Sequence, residues 1–279
     1  ISESSVVAIV IFVTHLGSLS LLVLVGIIYV LFNGISTLEA NLGTPSDFSP
    51  VVAIFFGFSA ALLGISGFES SANFVEQQAE GVFPKTLRNM WIAVTIFNPA
   101  MAILALAIIP IGDLNGNNKN ALLADIGYIV GHGEWLAWII SADAVLVLSG
   151  AVLTSFIGVT GLVNRMALDR CLPQFLLKKT RRGTTHRIII AFFLLSVSIL
   201  LLTEGQLEAL AGVYTISFLA VMALFCLGNI LLKVRRRKLP RPTYAPWLFV
   251  GLALLGVTAG LIGNIFMKQP AELFHLGKK

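Results

Sequence analysis

The 279 residues are 57% hydrophobic and 12% charged, with a mean hydropathy of +0.90. Soluble domains carry about 25% charged residues, so apolar surface on this scale cannot be hidden in one core, which excludes a soluble domain. The net charge of +5 suggests nucleic acid only if the basic residues share one soluble face, and here they fall in connections between apolar runs.

A hydrocarbon core of ~30 Å takes ~20 helical residues per crossing, against ~10 for a barrel strand. The run lengths predict an all-α integral membrane protein of about seven transmembrane helices, over roughly 5–32, 51–78, 90–111, 135–163, 187–203, 206–233 and 246–267. Residues 1–279 read as a single transmembrane domain. The first run carries His15 in an apolar middle. The connection 33–50, "NGISTLEANLGTPSDFSP", is punctuated by Asn, Gly, Pro and Ser and predicts an external loop. Asn98-Pro99 in the third run predicts a kink. Helical spacing from Ala121 to Val130 predicts a short helix at the external mouth. The fourth run holds Asp143, expected either near an external vestibule or facing water, and the small-residue stretch "LSGAVLTSFIGVTG". After it, "NRMALDRCLPQFLLKK" predicts an amphipathic segment along the cytoplasmic surface, and 203–206 a tight turn.

Charge sorts the connections. Loop 164–186 holds Arg165, Arg170, Lys178, Lys179, Arg181 and Arg182; loop 234–245 holds five basic residues from Arg235 to Arg241; loop 79–89 adds Lys85 and Arg88. Between them, 33–50 has no Lys or Arg and 112–134 has only Lys119. This positive-inside pattern predicts a cytoplasmic N-terminus and cytoplasmic loops 79–89, 164–186 and 234–245. "KVRRRKLPR" at 233–241 reads as a topology anchor that also meets anionic headgroups, so membrane lipid is an expected partner and nucleic acid is not. Cys171 and Cys226 make neither a disulfide framework nor a metal motif, and the common hydrolase and phosphate-loop motifs do not occur. No enzymatic activity, catalytic residue or metal is expected. The chain opens on Ile1 and ends on Lys278 and Lys279 at the side predicted to be external, which reads as a piece of a longer chain.

The second run departs from the pattern. It begins "VVAIFFGFSAALLGI" (51–65) and continues "SGFESSANFVEQQ" (66–78), turning polar around Gly64 and Gly67 where the bilayer midplane falls. Glycine lowers the cost of opening the backbone, yet an opened helix in hydrocarbon needs protein or water to take over its polar groups. Two readings follow. In the first, the helix is broken: one half ends near Ile65, leaving carbonyls that attract a cation, and the other starts near Glu69, where Ser70 and Ser71 help satisfy free N–H groups. In the second, the glycines let an intact helix pack closely on a neighbour. Glu69 favours the break, because ionisable groups at membrane depth are costly.

"FSAALLGISGFESSANFVEQQAEGVFPKTLRNMW" (58–91) resembles the sixth helix and following loop of amino acid–polyamine–organocation permeases. "ISESSVVAIVIFVTH" (1–15) resembles the family's fifth helix, and "LVNRMALDRCLPQFL" (162–176) is similar to the Arg-Met-Ala-Asp-x-x-x-Pro signature after its eighth. "EQQAEGVFP" departs from the E-x-K-N-P of many members. The resemblance implies a core of two inverted five-helix repeats (5+5). This chain would supply the fifth helix, the whole second repeat with its broken helix at about 51–78, and an eleventh helix. It also implies a secondary active transporter of amino acids or related amines, working by proton-coupled symport or exchange through alternating access. The alternative is a structural or accessory membrane subunit with a degenerate transporter fold and no transport cycle. Either way a missing N-terminal half or a partner subunit is expected, since the family's first helix, whose break holds the substrate carboxylate, is not in this sequence.

By the same resemblance, backbone carbonyls of Leu63, Gly64, Ile65, Ser66 and Gly67 receive the substrate ammonium, Leu63 or Ile65 forms an apolar wall, and Phe68 is a lid. Glu69 either shuttles a proton or ties helices together. His15 falls twelve residues after Glu3, where some proton-coupled relatives carry a lysine. A histidine there would carry the coupling charge in a pH-dependent way; the alternative is a packing histidine bonded to a backbone carbonyl. Ser149, Thr154 and Ser155 would offer hydroxyls to the same cation position, or bond their own helix. Beyond a coupling proton or sodium ion, no cofactor is expected.

Overall fold

Why the chain forms helices and little else follows from its solvent: in hydrocarbon each backbone N–H and C=O must be paired within the segment. The computed structural model describes residues 3–45, 48–73, 75, 78–114, 121–181, 183–236 and 245–276. In chain order these form α1 (Glu3–Asn33), α2 (Ser36–Leu42), α3 (Pro50–Ala61), a 3₁₀ turn (Leu62–Ile65), α4 (Phe68–Asn73), α5 (Val82–Ile108) and α6 (Ile111–Leu114). They continue with α7 (Leu122–Val130), α8 (Glu134–Leu168), a second 3₁₀ turn (Gln174–Leu177), α9 (His186–Leu202), α10 (Leu207–Arg235) and α11 (Trp247–Leu276). There is no strand among the described residues.

Five helices, α1, α5, α8, α10 and α11, are long and apolar enough to cross a bilayer; α9 and α3 with its 3₁₀ extension are apolar but shorter. Large apolar side chains such as Phe12, Leu148, Leu224 and Leu255 stand outward on four of the five. In water that surface would drive association, whereas lipid solvates it. The protein is an integral, multi-pass membrane protein.

The helices differ from the sequence reading at two places. α5 begins at Val82, eight residues before the expected 90, so Lys85 and Arg88 lie in its first two turns. Pro84 is tolerated there because the first turn has no partner for its missing N–H. Pro99, where a kink was expected, lies inside the same helix. α8 runs on through Leu168, so the stretch expected to lie along the membrane begins as the end of a spanning helix and continues into the second 3₁₀ turn.

The chain divides into two compact units. One comprises Ile1–Pro45 and Asn73–Ile189; the other comprises Ser46–Ala72 and Ile190–Lys279. In the first, Leu22 of α1, Leu104 and Ile108 of α5, Ile126 of α7 and Leu136 and Ile140 of α8 form the core. Gly127 of α7 approaches α8 so closely that a Cβ would sit 3.2 Å from the Ala137 amide nitrogen. Asn41 of α2, within a connection expected to be irregular, clamps the end of α5. Its amide donates to the carbonyls of Leu106 and Ile109 at 2.7 and 2.8 Å, and its oxygen accepts from Ile111 N–H at 2.9 Å. These are the orphan carbonyls of a helix terminus, satisfied by a side chain rather than water.

In the second unit α11 packs on α3 and α10 around Leu62, Phe218 and Leu219. Small residues permit the α3–α11 approach, as is usual where lipid removes the hydrophobic drive between helices. A Cβ on Gly260 would lie 2.0 Å from Leu62 Cδ1, and one on Gly263 would lie 2.0 Å from Ser59 Oγ.

Candidate functional site

Two polar features interrupt the apolar helices, one in each unit. The first is the break after α3. Ser49 and Pro50 start that helix, proline taking the first helical position that suits its fixed φ. The helix runs to Ala61, tightens into the 3₁₀ turn, and opens at Ser66, which is extended (φ −66°, ψ 160°). Gly67 has φ 106°, a backbone that disfavours any side chain, and α4 resumes at Phe68. The break therefore falls between Ile65 and Phe68, close to the expected Ile65 and Glu69.

Gly64 and Ile65 are exposed, while Leu63, Ser66, Gly67 and Phe68 are half-buried. The Leu63 carbonyl already accepts Ser66 N–H at 3.3 Å, so this expected backbone acceptor is engaged inside the turn. Glu69 and Ser70 belong to the first turn of α4, but their side chains lie outside the described residues.

The break is held from α11. Asn264 Nδ2 donates to the Ser59 carbonyl at 2.8 Å and to the Gly260 carbonyl of its own helix at 2.9 Å. Ser59 is fully buried, and its hydroxyl donates back to Phe55 O at 2.8 Å. Where α3 gives up its regular ladder for 3₁₀ spacing, a donor from another helix reaches its last turn. The sequence reading missed Asn264; a lone amide inside an apolar run, one residue after a glycine, was the available signal.

The second feature lies between α1 and α8. His15 Nδ1 and Asp143 Oδ2 are 2.8 Å apart. Ser18 Oγ lies 2.6 Å from the same Oδ2 and 2.9 Å from the backbone oxygen of His15. His15 and Ser18 are three apart on α1, so they share a face and converge on one carboxyl. Asp143 is only 4% exposed, which corrects the expectation that it faces water: a carboxyl at this depth persists by being paired. The pairing also shows that His15 meets a carboxyl group, not a backbone carbonyl. Asp143 Oδ1 is buried and has no hydrogen-bond partner among the described residues.

Beside this cluster a groove of about 450 Å³ runs between α1 and α8, walled by Val7, Ile11, Leu153 and Ile157, with His15 and Thr154 as its polar members. Thr154 shares that groove, yet its hydroxyl bonds the Gly150 carbonyl of its own helix. Ser149 and Ser155 do the same, to Val145 O at 2.7 Å and Ala151 O at 2.8 Å. The three hydroxyls thus follow the self-bonding alternative in this structure. No group of three or more metal-ligating residues occurs among the described residues.

The sequence profile of the amino acid permease family matches residues 1–273. The chain is also similar to the branched-chain amino acid permease BcaP of Bacillus subtilis (strain 168), at 26% identity over 217 residues. That alignment covers 77% of this chain and 44% of the relative, so the chain spans less than half the relative's length. No solved structure matches.

Proposed function

Since the chain belongs to the amino acid permease family, we propose that it forms the C-terminal portion of a secondary active transporter of amino acids or related amines. The observation that carries this reading is the opened backbone at Ser66–Gly67 within an otherwise apolar helix. Backbone opening in hydrocarbon is costly and is found where it lines a cavity or a binding site. The C-terminal end of α3 presents the negative end of its dipole toward the opening, which suits a substrate ammonium. Leu63 and Ile65 supply aliphatic surface beside it. That chemistry, with the similarity to a branched-chain permease, favours substrates with aliphatic side chains.

Coupling is assigned to the His15–Asp143 pair, an imidazole and a carboxyl 2.8 Å apart beside an open groove. Alternating access would then run as proton symport, or as exchange when no gradient is applied.

The test is counterflow in proteoliposomes containing the full-length protein. Internal unlabelled leucine should drive uptake of labelled leucine, with isoleucine and valine competing and lysine and putrescine competing weakly. Absence of counterflow for every amino acid and amine tried would contradict the reading.

A further inference from the structure

We propose that Asp143, not His15, carries the coupled proton, and that the Ser18 hydroxyl serves the carboxyl in both of its protonation states. This rests on the transporter reading above and deepens its coupling site.

Ser18 has one hydroxyl hydrogen and two acceptors in reach, Asp143 Oδ2 at 2.6 Å and the His15 carbonyl at 2.9 Å. With Asp143 ionised, the hydroxyl donates to Oδ2, and so does His15 Nδ1–H. When a proton from water adds to Oδ2, the carboxyl becomes a donor and needs an acceptor. Ser18 then turns its hydrogen to the His15 carbonyl and offers its oxygen to the carboxyl O–H. Release reverses these steps. One proton is bound and one released, no other bond is made or broken, and no heavy atom has to move.

Loading the proton on the imidazole instead would leave both bonds to Oδ2 unchanged and give the second acceptor of Ser18 no part. His15, whose side chain is 35% exposed against 5% for that of Asp143, stands between the carboxyl and the groove and orients it. It is a positioning residue.

Other titratable groups with described side chains on the helices packed around the cluster are Tyr29 on α1, Lys85 and Arg88 on α5, Asp125 and Tyr128 on α7, and Glu134 and Arg165 on α8; the side chain of Glu3, at the start of α1, lies outside the described residues. None of them is bonded to His15, Ser18 or Asp143. Among the described residues the proton site is a set of three side chains.

The experiment compares two readouts in proteoliposomes of the full-length protein: leucine counterflow, which needs no gradient, and leucine accumulation driven by a pH gradient. Coupled to one proton per substrate, the wild type should accumulate about tenfold per pH unit. Asp143→Asn should lose that accumulation while counterflow stays measurable. His15→Gln, which keeps an N–H donor to the carboxyl, should still accumulate leucine but with a displaced pH profile. Ser18→Ala should also displace the profile, and Ser18→Thr should restore it, whereas a merely structural serine would change yield and not the profile. Ser20→Ala serves as a control, since among the described residues the Ser20 hydroxyl bonds its own helix at Leu16 O.

Retained accumulation in Asp143→Asn, or its loss in His15→Gln, overturns the assignment to Asp143. Counterflow by the wild type with no response to a pH gradient overturns it too, and leaves the transporter reading standing. No counterflow by the wild type defeats both.

Discussion

The break after α3 opens backbone, whereas the cluster between α1 and α8 gathers side chains, and the two are stabilised in opposite ways. At the break the polar groups belong to the main chain; Asn264 meets the Ser59 carbonyl, the turn itself meets that of Leu63, and Gly64 and Ile65 have exposed surface. At the cluster the carboxyl is enclosed, and its partners come from a single turn of one helix. A binding site for a substrate must leave groups exposed to be filled. A site for a proton needs only an internal rearrangement, so it can close.

The contrast breaks most sharply in the α3–α11 contact that holds the opening. Gly263→Val drives its first side-chain atom into the hydroxyl and Cβ of the buried Ser59, so that α3 or α11 must shift. It should lower stability by about 2 kcal/mol, as overpacking does, read as a lower thermal midpoint of the full-length protein in detergent. An unchanged midpoint would mean that α11 does not clamp the break.

Gly67→Ala comes next. At φ 106° an alanine is strained by ~1–2 kcal/mol, which should close or reshape the turn. Leucine counterflow should fall at least about tenfold, since 1.4 kcal/mol is a factor of ten, while gradient-independent properties of the cluster persist. Wild-type counterflow in this variant would show that the open turn is not needed.

The smallest effect is expected at Ser149 and Ser155. Each hydroxyl is spent on its own helix, so replacement by alanine should change stability by less than about 0.5 kcal/mol and leave the pH profile of uptake where it was. A displaced profile would return these hydroxyls to the coupling site.

The break was legible because Gly64, Gly67 and Glu69 interrupt an apolar run that would otherwise be long enough to span. Helix ends were less so. Lys85 and Arg88 look like loop residues on a hydropathy reading, which senses the hydrocarbon slab rather than the helix that extends beyond it. α2 was invisible, because what holds it is one asparagine reaching a helix terminus across 65 to 70 residues of sequence. His15 and Asp143 each stood out as polar residues in apolar runs. Their pairing did not, since 128 residues separate them and nothing local sets the register of α1 against α8. Ser18, one turn from His15, was readable in principle as part of the same face.

The central claim, that the opened turn receives the substrate, is tested most directly by substrate protection. Cys171 and Cys226 are replaced by serine in the full-length protein, and Ser66→Cys then reports access to the turn with a thiol reagent. Leucine present during labelling should slow modification at this position, and lysine should not. If counterflow of leucine runs normally and leucine leaves the labelling rate unchanged, the substrate binds elsewhere and the account of the break is wrong.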